Sequence, residues 1–152
     1  MAAHEIDYTI HGEELQAVAI ELDPEETVIA EAGSFMSMTQ NIDMQTVFGS
    51  GNDEQQSVWG KMVGAGKRLL TGESLFMTTY TQKGAGKGTV MFAAPYPGKI
   101  IPLRLSEHGG KVICQKDSFL CAAKGVSVGI ELQRKIGAGL FGGEGFIMQK
   151  LE

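Results

Sequence analysis

Two segments of this chain repeat one another, and that repeat limits its architecture more than any single motif does. Ser34-Phe35-Met36 aligns with Ser118-Phe119-Leu120 at an offset of 84 residues. At the same offset Val28-Ile29 falls on Val112-Ile113, Ile42 on Val126 and Met44 on Val128. Further on, GAGKRLLTGESLFM (64–77) resembles GAGLFGGEGFIM (137–148). There Gly72-Glu73 aligns with Gly143-Glu144, and Leu75-Phe76-Met77 with Phe146-Ile147-Met148, at an offset of 71. The second copy is therefore 13 residues shorter between the two blocks, and GSGNDEQQSVWG reads as an insertion in the first copy, near 48–64. Apolar positions that recur together with their turn residues indicate two copies of one β unit. Neither copy can cover its own apolar face, so the pair encloses a shared core.

The local pattern agrees. Glu5–Ile10, Leu15–Leu22, Thr27–Ala30, Ser74–Tyr80, Thr89–Ala93, Lys99–Leu105 and Lys111–Cys114 are short, apolar-rich and bounded by Gly, Pro, Asp or Asn, as strands are. Leu103 and Leu105 flank Arg104, and Val126, Val128 and Ile130 alternate with Ser127 and Gly129, which puts one face in a core. The expected fold is all-β, an antiparallel sandwich occupying residues 1–152 as a single domain. Repeat one covers about 15–97 and repeat two about 99–152, the second ending before the hairpin that follows Met77 in the first. That ending leaves a sheet edge for a partner subunit, or marks a last hairpin missing from this chain. Within 52–70 the pattern allows at most one short helix: Asn52 is a suitable cap, but Gly60 weakens the run.

Charge and cysteine usage narrow the function classes. A net charge of −5 argues against general affinity for DNA, disfavours RNA and does not favour an anionic membrane. No stretch approaches the roughly 18 apolar residues of a membrane span. The amino terminus, MAAHEIDYTI, is polar and acidic, unlike a signal or transit peptide. Cys114 and Cys121 lie seven apart, a spacing that suits no zinc or redox motif, and read as reduced thiols in a cytoplasmic protein.

The chemical motifs resolve toward structure. Gly137, Gly139 and Gly142 match the dinucleotide fingerprint G-x-G-x-x-G, but a short strand-like run follows them instead of a helix, and the distant acidic residue is missing. KMVGAGKRLL and TQKGAGKGTV each miss a phosphate-binding loop at two defining positions; KGAGKG reads as a flexible hairpin with a solvated basic tip. His4 and His11 with Glu5 or Asp7 have no metal-ligand spacing. Ser34 and Ser118 suit a turn hydrogen bond, Phe35 and Phe119 follow them in the repeat, and Glu73 and Glu144 suit turns better than an acid–base pair. No catalytic residue, cofactor or metal is expected. Six methionines at strand positions (Met36, Met38, Met44, Met77, Met91 and Met148) are read as core filling. Trp59 in the insertion, with Lys67 and Arg68, forms the candidate partner contact.

The runs AAPYPGKI, KDSFLCA and FGGEGF, taken together within residues 18–152, resemble the altered-inheritance-of-mitochondria (AIM) type family. The resemblance implies the fold of the tryptophan-RNA-binding attenuator protein, a β-sandwich whose members tend to oligomerise. It implies a link to inner-membrane organisation for mitochondrial members and carries over no catalytic residues. The favoured function is a non-enzymatic scaffold or protein-interaction module acting as a homo-oligomer. A small-ligand or RNA-binding module is the alternative, and an enzyme using Glu73 and Glu144 comes third.

Overall fold

A computed structural model describes residues 5–48, 76–115, 117–133 and 146–152. The insertion, the segment 52–70 for which at most one short helix is expected, Trp59, Lys67, Arg68, Gly72, Glu73, the glycines 137–142, Gly143 and Glu144 lie outside these residues.

Among the described residues eleven strands form three antiparallel sheets. The first runs in the order β1 (Asp7–His11), β2 (Ala17–Leu22), β7 (Gly88–Ala93), β4 (Phe35–Met38). The second runs β5 (Ile42–Phe48), β6 (Phe76–Gln82), β3 (Thr27–Glu31), β9 (Cys121–Ala123). The third contains β10 (Val128–Gln133), β11 (Phe146–Leu151) and β8 (Val112–Gln115), in that order. The described helical structure is one 3-10 turn, Leu105–His108.

The second sheet is the middle layer. On one side Val28 and Ala30 of β3, Ile42 of β5 and Tyr80 of β6 pack with Val18, Ile20 and Leu22 of β2 and Val90 and Phe92 of β7. On the other, Ile29, Val47 and Met77 pack with Val128 of β10, Leu151 of β11 and Phe119. This explains the composition of β3: Thr27, Val28, Ile29 and Ala30 are all buried, because successive side chains enter different cores. β2, by contrast, alternates buried and half-buried residues, as a strand with one covered face does.

The strands at the offsets of 84 and 71 occupy matching places. β3, β5 and β6 belong to the middle sheet, whereas β4 crosses to pair with β7 of the first sheet. Likewise β8, β10 and β11 belong to the third sheet, whereas β9 crosses to pair with β3. The turns that start each crossing match as well. Ser34 N donates to Glu31 O at 3.3 Å and Ser118 N to Gln115 O at 3.1 Å. Gly33 and Asp117 both adopt positive φ, as do Asn41 and Gly125 beyond the crossing strands.

Two expectations are corrected. Lys99–Leu105 is not a strand, and Leu103 and Leu105 do not alternate into a core. Pro102 lacks an amide proton. The Ile100 amide donates to the Gln16 side chain at 2.6 Å, and Leu105 opens the 3-10 turn. KGAGKG is not the tip of a hairpin within one sheet, because β6 and β7 lie in different sheets and the loop turns the corner between them. Nor are its lysines merely solvated: Lys83 pairs with Glu25 at 2.7 Å, and Lys87 contacts Glu21, with Asp23 at 3.6 Å and Asp7 at 4.0 Å. These carboxylates hold the Lys87 ammonium above its ordinary pKa, Glu21 contributing most.

Candidate interaction face at the β4–β5 corner

Among the described residues β4 is the last strand of the first sheet and β5 the last strand of the second. The corner between them is pinned on both sheets. Thr39 N donates to Thr89 O and the Thr39 hydroxyl accepts from Thr89 N, each at 3.0 Å, while Lys83 N donates to Asn41 O at 2.8 Å.

The register decides which way the side chains point. Phe35 lies opposite Phe92, Met38 opposite Val90 and Met44 opposite Tyr80, so all three share faces with core residues. No further strand stands beyond β4 or β5 among the described residues, and these inward-facing side chains remain 40%, 40% and 51% exposed. Met36, placed at a register shift in β4, is 54% exposed. The Phe35 ring stacks on Tyr80 at 5.5 Å and 12°, and Tyr80 meets Phe92 edge-on at 5.2 Å and 70°. An aromatic row therefore runs from the surface to the centre of the core. Burial pushes the Tyr80 phenol pKa up, against a smaller opposing effect from its hydrogen bond with Thr78.

The same positions in the second half are covered. Phe119 and Val128, the counterparts of Phe35 and Met44, are 6% and 1% exposed. The core-filling reading of the methionines thus fails for Met36, Met38 and Met44, because they sit on terminal strands; Met77, in the middle sheet, is buried. One signal in the sequence marks this face. Residues 33–48 contain a single charged side chain, Asp43, in a chain where one residue in five is charged. Depletion of charge is characteristic of the centre of an interface.

The other residues singled out in the sequence have local roles. The Ser34 hydroxyl donates to Glu31 O at 2.8 Å, and its carbonyl accepts from Ala93 N at 2.9 Å, joining the crossing turn to β7. Ser118 is exposed while Phe119 enters the second core. Both cysteines are free: burial pushes Cys121 up to about 12, and burial with the nearby Glu31 raises Cys114. At neutral pH both remain thiols, poorly suited to nucleophilic or metal chemistry. Among the described residues no group of three or more His, Cys, Asp or Glu side chains is placed to hold a metal ion. No described helix is long and apolar enough to cross a membrane.

The model of the family described as Mitochondrial biogenesis AIM24 matches residues 8–152. The chain belongs to this family. An uncharacterised protein of Streptococcus pyogenes serotype M6 is 33% identical over 134 residues, which is 86% of this chain and 50% of that protein. The chain thus spans half the length of the curated relative it matches. A crystal structure of a Streptococcus pyogenes protein, solved as a structural-genomics target, superposes on 97% of this chain and 61% of its own with a TM-score of 0.65 at 23% identity. That likeness supports the all-β architecture.

Proposed function

We propose that this AIM24-family chain is a non-enzymatic interaction module that self-associates through the β4–β5 corner. The observation that carries the reading is the exposure of Phe35, Met38 and Met44, whose register turns them toward the core and beside which the sheets end among the described residues. A second copy of the same face is the occupant that fits best. The patch is nearly uncharged, so two copies meet without like-charge repulsion. The methionines, long and unbranched, adapt to an apolar surface of imperfect shape. A dyad contact of this kind is the commonest route to a homo-oligomer. A cytoplasmic setting suits the module, since its two cysteines are unpaired.

Sedimentation velocity across a concentration series tests the reading. The protein sediments as an oligomer at high concentration, and the double variant Met38→Glu, Met44→Glu raises the dissociation constant by about 30-fold or more, the effect of losing a central contact worth about 2 kcal/mol. Both residues are partly exposed, at 40% and 51%, and circular dichroism checks that the variant keeps its fold. A wild-type protein that remains monomeric at millimolar concentration would refute self-association.

A further inference from the structure

The described methionines fall into two groups. Met36, Met38 and Met44 stand together at the β4–β5 corner, 54%, 40% and 51% exposed. Met77 is 1% exposed, and Met91 and Met148 are half-buried. A thioether is oxidised where an oxidant can reach its sulfur, so the two groups differ in reactivity although their chemistry is the same. The surroundings of the first group are apolar. Met44 lies opposite Tyr80, on which the Phe35 ring is stacked, and Met38 lies opposite Val90. Residues 33–48 carry no lysine or arginine, so this segment holds no cation to receive a new anionic or strongly accepting group.

We propose that Met36, Met38 and Met44 form a reversible oxidation site, at which peroxide converts the thioethers to sulfoxides and thereby dissociates the self-associated protein. The inference rests on self-association through this corner. In the step, a sulfur lone pair attacks one oxygen of hydrogen peroxide, the S–O bond forms and the O–O bond breaks. The departing hydroxide takes the proton of the transferred hydroxyl and leaves as water. Sulfur loses two electrons and the peroxide gains them; a dithiol reductase reverses the change, releasing water and ending as a disulfide. The product is a polar, strongly accepting side chain. In the free chain water satisfies its oxygen, whereas against a second copy of a nearly uncharged face the acceptor is buried without a donor. Oxidation is therefore favoured in the dissociated form, and association shields the sulfurs. Dilute protein is oxidised first, and the sulfoxides then keep it dissociated.

The test treats the intact protein with hydrogen peroxide at low and high protein concentration. Peptide mass spectrometry follows each methionine, and sedimentation velocity follows assembly. In dilute protein Met36, Met38 and Met44 are oxidised at least tenfold faster than Met77, and at high concentration their rates fall at least threefold while that of Met77 does not. The oxidised protein, its circular dichroism unchanged, has a dissociation constant raised at least tenfold, and treatment with methionine sulfoxide reductases restores the original value. The variant Met36→Leu, Met38→Leu, Met44→Leu keeps the apolar volume and every other methionine. It assembles as the wild type does and is insensitive to peroxide. Equal oxidation rates at Met77 and the three corner residues overturn the proposal. So does peroxide-induced dissociation that persists in the leucine variant. Assembly unchanged after complete oxidation of the three overturns this inference and leaves self-association standing; a wild-type protein that is monomeric at millimolar concentration before any peroxide is added overturns self-association itself.

Discussion

Cys121 shows how one buried atom makes stability depend on pH. Its thiol is held at about 12 by loss of hydration, well above the ordinary 9 of an unfolded chain. Above pH 9 the unfolded state releases this proton while the folded state keeps it, so the unfolded state binds fewer protons and stability falls as pH rises toward 12. Tyr80, also raised by burial, acts in the same direction at higher pH. Urea midpoints measured from pH 8 to 11 should therefore fall, and fall less steeply in Cys121→Ala; equal slopes in the two proteins would contradict the assignment. At this scale the sequence was informative wherever a neighbour was local. The reading of Ser34 as a turn hydrogen-bonder needs only Glu31, three residues away. The exposure of Phe35 could not be read that way, because it depends on what stands beyond β4, where the described residues place no strand. Phe119, with the same local sequence, is buried.

Among the elements, the β6–β7 corner was the most misleading in sequence. Glycines and lysines suggest a mobile basic tip, yet the loop is tied down by a buried amide. Gln82 donates from Nε2 to Gly86 O at 2.6 Å, and its Oε1 accepts from Gly84 N at 3.4 Å. Gly88 leaves room for that amide, since a Cβ there would stand 3.0 Å from it. The acidic partners of the two lysines lie 58 and 66 residues away in the chain, beyond any local pattern. Replacing Gln82 with Ala removes the tether and exposes backbone groups in a partly buried place. The expected cost is about 1–3 kcal/mol in a denaturant titration, with faster amide exchange at Gly84. A change below about 0.5 kcal/mol would show that the ion pairs alone hold the corner. Lys99–Leu105 misled for the opposite reason: its apolar alternation is real, but Pro102 and the Gln16 side chain take up the backbone positions a neighbouring strand would need.

Across the molecule, fold class was legible because it depends on short alternating runs and on turn residues, both local. The layering was not, with one exception. The uninterrupted buried run of β3 signals a strand covered on both faces. What places β9 beside β3, and β11 between β10 and β8, is topology that no window of sequence contains. The two parts of the chain are consequently interleaved. Gly109 and Gly110, both exposed and both at positive φ, follow the 3-10 turn that links them. A protease that cuts there severs the chain without breaking any described strand pair, because β9 is held on β3 by hydrogen bonds and Phe119 is seated beside Ile29 and Met77. The nicked protein should elute from a sizing column as one species and separate into two pieces only in denaturant. The molecule would then be able to lose its covalent continuity at that link and still reassemble by fragment complementation.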